Sequence, residues 1–274
     1  MKRNRWRKAL LSVVMLALAA LVAVPLYYVV VNTFKTQGAM ANAPLGLPTE
    51  PYFGNYHRVL SDPRIYQSFA NTIYVTAVAV LAQLLIGALG AFAMIMRTSR
   101  LNLILANVLL IGFVIPGQST LIPLYRTLVG FQLVNSLNGL VVMYLGGSIF
   151  CYFLIQGYMR TLPFEIIEAA RLDGAGSFHI FWSIVLPLIK PILVTVGVFQ
   201  TMWVWNDFLL PTVFISSPQK RTIVLQVYNA VSEFTTDWPL FMTVSVVALV
   251  PMVVFFIVTQ RHIVSGLLAG GLKG

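Results

Sequence analysis

The chain has 274 residues, of which 58% are hydrophobic and only 9% charged, and a net charge of +10. A water-facing domain carries roughly a quarter charged residues, so most of this chain belongs in lipid. Its basic residues are scattered through apolar sequence, which excludes a soluble nucleic-acid-binding domain and fits balance against anionic headgroups.

Lys2, Arg3, Arg5, Arg7 and Lys8 precede the first apolar run, 9–31. A spanning helix needs about 20 apolar residues, whereas a signal-peptide core has about 7–15. The run is therefore expected to be an uncleaved span. Residues 33–68 hold Pro44, Gly46, Pro48, Pro51 and Gly54 and read as a loop with little regular structure. The second expected span is 69–96, where Gly87, Gly90 and Ala91 suit close helix packing. The third is 103–124, followed by a short interfacial segment at 126–136. The fourth is 137–155 and contains the single cysteine, Cys151, which has no intrachain disulfide partner and reads as a small packing residue. A polar stretch, 159–190, leads to the fifth span, 191–210. A second polar loop, 213–238, precedes the sixth, 240–258. These runs are continuous rather than alternating, so the expected class is all-α with six transmembrane helices in one domain, 1–274, not a β-barrel.

Six spans put both termini on one side. With the N-terminus inside, twelve Lys and Arg lie inside and six outside, which orients both termini to the cytoplasm. The polar stretch 159–190 is then cytoplasmic, and 33–68 and 213–238 are extracytoplasmic.

Within that cytoplasmic stretch, Thr161 and Pro163 can start a helix and Glu165 adds charge to its first turn. Glu168 and Arg171 stand at i,i+3 and can pair. Ala169 and Ala170 form a smooth patch where another backbone could approach. Gly174 and Gly176 can stop the helix, and Ser177 can cap a second one that leads into Pro187. On composition alone, this helix either joins two spans at the interface or docks a cytoplasmic partner.

The chain has no G-x-x-x-x-G-K-[ST], H-E-x-x-H, C-x-x-C or G-x-S-x-G. It therefore offers no phosphate cradle, metal site or nucleophile elbow of its own. His57, His179 and His262 are far apart in sequence, and no metal site is expected. Asp207 is the only acidic residue in or at the end of an expected span, too few for a proton relay. Neither catalysis nor self-powered transport is expected.

The run Glu168-Ala169-Ala170, three residues, Gly174, nine residues, Ile184, one residue, Leu186-Pro187 resembles the EAA motif of permease subunits in binding-protein-dependent ABC importers. Asp173 and Ala175 extend the match, and the resemblance runs from about Asn71 to Gly274. The ending from Gln260 to Gly274 is similar to the tail of the carbohydrate-uptake, MalG-like branch, with Leu268 and Gly271 where Thr and Ala are usual.

The resemblance implies a MetI-like permease fold. It implies that Glu168, Ala169, Ala170, Asp173 and Gly174 fit an ATPase cleft, and that a tail with Gly270, Gly271 and Lys273 reaches towards the ATPase pair. Partners would be a second, different permease, two cytoplasmic ATPase subunits that bind ATP and Mg, an extracytoplasmic solute-binding protein and a sugar. The chain would hold no cofactor and would sit in a bacterial or archaeal cytoplasmic membrane. Sugars offer hydroxyls and apolar C–H faces, so Asn71, Gln200, Trp203, Trp205, Asn206 and Asp207 are candidate path residues, though interfacial Trp is also an anchor. A W-N-D-F-L-like segment recurs in that branch. The alternatives are a permease of the same machinery for another solute, an integral membrane enzyme, which would need a His, Asp or Glu cluster that is not visible, and an independent secondary carrier.

Overall fold

The computed structural model describes residues 2–96, 99–163, 165–233 and 237–271. The described residues form helices joined by turns and loops, with no strands, in the order α1 (Lys2–Asn32), α2 (Gln37–Asn42), α3 (Gly54–Leu60), α4 (Pro63–Met96), α5 (Arg100–Val114), α6 (Leu121–Gly130), α7 (Leu137–Tyr144) and α8 (Ser148–Met159). Then follow α9 (Glu165–Leu172), α10 (Ser177–His179), α11 (Leu186–Leu188), α12 (Lys190–Asn206), α13 (Leu209–Phe214), α14 (Ile223–Glu233) and α15 (Trp238–Gly271).

Among the described residues, four helical stretches are long and apolar enough to cross a membrane: Trp6–Asn32, Pro63–Met96, Leu137–Met159 and Trp238–Arg261. Two bent pairs, Arg100–Val114 with Gly117–Gly130 and Ser177–Leu188 with Lys190–Asn206, bring the number to six if each is one span.

The bends have covalent causes. α5 has 15 residues and rises only about 22 Å, short of a hydrocarbon core of about 30 Å. Ile115, at ψ 123°, is held extended by the following Pro116, and the chain turns by 93°. The expected span 103–124 thus covers most of a short helix and the start of a sharply turned one. At the second bend the chain turns by 74° about Ile189. Pro191 has no N–H to donate to the Pro187 carbonyl, and its ring would clash there if the helix ran on.

The chain divides into two compact units, Met1–Tyr66 with Gln226–Pro251, and Gln67–Leu225 with Met252–Gly274. In the first unit, the spanning part of α1 is apolar and exposed all round, which only lipid or a protein partner can accommodate. The loop after α1 is better anchored than its Pro and Gly content suggests. Asn32 Nδ2 donates to the Tyr28 and Pro44 carbonyls at 2.7 and 2.9 Å. Asn55 Nδ2 donates to the Thr33 and Lys35 carbonyls, both at 2.9 Å. Lys35 is 2% exposed and its Nζ donates to the Ala43 carbonyl beyond α2 at 2.7 Å. Burial pushes the Lys35 amine below the usual lysine range.

In the second unit, α4 and α8 pack at backbone distance. A Cβ placed on Gly87 would lie 2.6 Å from the Cβ of Cys151, which is fully buried. Gly90 has ordinary clearance, 3.6 Å to the Tyr152 ring, so of these two glycines it is Gly87 that the close approach requires. One apolar cluster joins Ala88, Phe92, Ile155, Ile167, Phe181 and Val185; another joins Val75, Ala79, Leu140, Tyr144 and Phe214.

Candidate coupling and translocation site

α9 is a two-turn helix with one face committed to its own protein. Ile167 is buried in the first cluster, beside Phe181 and Val185, and Ala170 packs against that cluster. Glu168, Ala169, Asp173 and Gly174 are exposed, and Leu172 is 90% exposed. The alanine pair therefore does not form one outward patch: Ala169 faces out and Ala170 faces in.

The helix ends in a Schellman motif. Gly174 N–H donates to the Arg171 carbonyl at 3.0 Å, and Ala175 N–H donates to the Ala170 carbonyl at 2.9 Å. Gly174 holds the left-handed conformation this cap requires, at φ +83°.

Two local expectations are corrected. Arg171 does not pair with Glu168: its Nη2 donates to the Met96 carbonyl at 3.3 Å, tying α9 to the end of α4, and the ion pairs among the described residues are Arg58–Asp237 and Arg64–Asp62. Ser177 does not cap the next helix. Gly176 occupies that position, at φ −69° and ψ 157°, with no side-chain bond, and Ser177 lies inside the helix. Beyond it, Ile180–Val185 widens into a π-helical stretch, with Ile180, Phe181 and Val185 buried, a distortion often found at functional sites.

The expected path residues fall into two groups. Asn71 is 3% exposed and its Nδ2 donates to the Gln219 and Arg221 carbonyls at 2.8 and 3.0 Å. Gln200 is 3% exposed and its Nε2 donates to the Gly147 carbonyl at 3.0 Å. Trp205 is buried, with its ring 6.4 Å from that of Phe69. By contrast, Trp203 is 68% exposed. Asn206 is also exposed, with its Nδ2 donating to the Met202 carbonyl. Asp207 ends α12 and serves α13: Oδ1 accepts from Leu209 N–H at 2.9 Å and Oδ2 accepts from the Tyr144 hydroxyl at 2.7 Å. Of the tail residues, Gly270 and Gly271 close α15, and Lys273 lies outside the described residues.

Sequence reasoning missed a polar knot in the fourth span. That span is interrupted by a 3₁₀ turn, Leu145–Gly147, which tightens the backbone and re-aims its carbonyls. Gln83 on α4 donates to the Tyr144 carbonyl at 2.5 Å, and Gln200 on α12 donates to that of Gly147. Side chains from neighbouring helices thus satisfy the disturbed backbone, as a low-dielectric interior demands. A Cβ on Gly147 would lie 2.6 Å from Gln200 Nε2 and 2.8 Å from Gln83 Nε2, so a side chain there would push the two amides out of their hydrogen bonds. Gln83 Oε1 and Ser148 Oγ are buried with no hydrogen-bond partner among the described residues. The visible signals were Gln83 inside an apolar run and the Gly146-Gly147 pair inside the fourth span.

Residues 83–267 match the family described as binding-protein-dependent transport system inner membrane component. The chain is 32% identical, over 274 residues and 100% of both chains, to the probable starch degradation products transport system permease protein AmyC of Thermoanaerobacterium thermosulfurigenes. It is 29% identical, over 94% of its length and 95% of the relative's, to the melibiose/raffinose/stachyose import permease protein MelC of Bacillus subtilis (strain 168). In fold it is similar to a chain in the crystal structure of a bacterial ABC transporter involved in the import of the acidic polysaccharide alginate. That match has a TM-score of 0.83 at 22% identity and covers 95% of this chain and 98% of that one. The chain belongs to the binding-protein-dependent transport system inner membrane components, and is a permease subunit with the MetI-like ABC importer fold.

Proposed function

We propose that this permease carries a sugar, driven by ATP hydrolysed on separate cytoplasmic subunits. The observation that carries the reading is the exposed, glycine-capped α9: its Glu168-Ala169-Ala170 run and Gly174 sit on a helix whose inner face is bonded into the core. Such an element transmits a push from outside to the spans behind it. The relatives named for starch products and for melibiose, raffinose and stachyose support sugar as the cargo.

In this reading two ATPase subunits hold ATP and Mg and receive α9 and the tail of α15. A second, different permease completes the path, and an extracytoplasmic binding protein delivers the sugar. Both termini lie in the cytoplasm of a bacterial or archaeal cell. ATPase closure biases a two-state membrane domain towards the outside, and hydrolysis resets it. Because Asn71, Gln200 and Trp205 are engaged with the protein itself, Trp203 and Asn206 are the path candidates most open to solute.

The test is ATP-driven uptake by the assembled importer with Glu168→Ala or Gly174→Val. Loss of uptake with intact assembly is the expected result. Normal uptake and normal ATPase coupling in both variants would overturn the docking role of α9.

A further inference from the structure

The first unit contains a cavity of about 260 Å³ lined by Arg58, Asp62, Arg64 and Gln226, with Ile65, Leu240 and other aliphatic side chains behind them. Its size is just below the roughly 300–1,000 Å³ of drug-sized ligand sites, which suits one ring-sized unit rather than a chain. Its most informative member is Gln226. The side chain is 4% exposed, lines the cavity and has no hydrogen-bond partner among the described residues. Its amide atoms open onto the cavity rather than being sealed in the protein, so a ligand there can both donate to and accept from them.

The charges define the ligand class. Arg58 Nη1 faces Asp237 Oδ2 at 2.9 Å, and Arg64 holds Asp62 through Nε and Nη2 at 2.9 to 3.1 Å. Each guanidinium already has its carboxylate, so an anion entering the cavity meets no uncompensated positive charge. What remains is a balanced set of donors and acceptors over an aliphatic wall. The Gln226 amide sets a donor and an acceptor side by side, matching two neighbouring hydroxyls, and Ile65 and Leu240 suit a C–H face.

We infer that this cavity is a binding site for a neutral sugar or polyol, one ring in size, built from residues other than the path candidates on α12. The choice of ligand class rests on the sugar-importer reading; the existence of the site does not.

The test uses the assembled importer in nanodiscs, without binding protein, and methyl α-D-glucopyranoside as probe in saturation-transfer NMR. Inorganic phosphate is the anionic competitor. The glucoside should bind at millimolar concentration, and Gln226→Leu and the cavity-filling Ala230→Leu should each weaken it at least tenfold. Gln226→Leu removes an unpartnered polar group, so its thermal midpoint should not fall; Gln226→Asn should retain partial binding. Absence of glucoside binding, binding unchanged in both leucine variants, or displacement of the glucoside by phosphate would each overturn the site. Sugar uptake measured on the same preparation separates the two claims: uptake without Gln226-dependent binding removes the site and leaves the function, and Gln226-dependent binding without uptake does the reverse.

Discussion

Replacing Gly174 by Ala isolates the conformation of the turn after α9. Gly174 stands at φ +83°, and a Cβ built there meets no heavy atom within 4 Å. Collision therefore contributes nothing. The whole effect comes from holding an L side chain in the left-handed region, about 1–2 kcal/mol. That lowers the ratio of capped to frayed turn by about 5- to 30-fold. Asn tolerates this conformation better than other side chains, and a β-branched residue tolerates it least. Uptake by the assembled importer in proteoliposomes should fall in the order Gly, Asn, Ala, Val. The thermal midpoint should hardly change, because Gly174 is exposed and supports no packing. Wild-type uptake for both Ala and Val would refute the reasoning, as would loss of uptake that merely tracks loss of thermal stability.

Three further outcomes follow from the packing and charge. Gly87→Leu forces a side chain into the Cys151 backbone and should cost about 1–3 kcal/mol or more, seen as a lower thermal midpoint, whereas Gly90→Ala should be tolerated. Tyr144→Phe and Asp207→Asn each remove the 2.7 Å bond between those side chains, and a double-mutant cycle on unfolding should show a coupling of about 1–2 kcal/mol; additive effects would deny the bond a role. For Asp62, burial alone would raise the carboxyl pKa, but the Arg64 side-chain and backbone hydrogen bonds and its charge outweigh burial and hold it below the usual range. A depressed folded pKa adds stability above the unfolded value of about 3.9, and that stability is lost as pH falls through the lower folded value. The wild-type advantage over Asp62→Asn in thermal midpoint should therefore be full at pH 6 and shrink below about pH 4; a constant difference would contradict the pairing.

The spans were legible because burial in lipid writes itself as continuous apolar runs. Hydropathy counts apolar residues, however, and does not register that Pro116 or Pro191 removes a backbone donor, so the 93° and 74° turns were not read from it. α9 was legible in its residues and its glycine stop. The direction of Ala170 was not, because only the burial of Ile167 in the cluster that holds Phe181 and Val185 fixes the rotation of the helix. The Gln83–Tyr144 and Gln200–Gly147 bonds join residues more than fifty positions apart. No local pattern announces such pairs, although a glutamine inside an apolar span asks for a partner. Gln226 was hidden for the same reason: it sits in a polar loop region of the sequence, and no local pattern shows that it is buried.

The most direct test of the account is radiolabelled maltose and melibiose accumulation in proteoliposomes containing this chain, its partner permease and the ATPase subunits, with binding protein on one face and ATP on the other. At least one sugar should accumulate in a way that needs ATP and the ATPase and that is abolished by Gly174→Val while the complex stays assembled. Sugar transport by this chain alone, without ATPase, or undiminished accumulation with Gly174→Val, would contradict it.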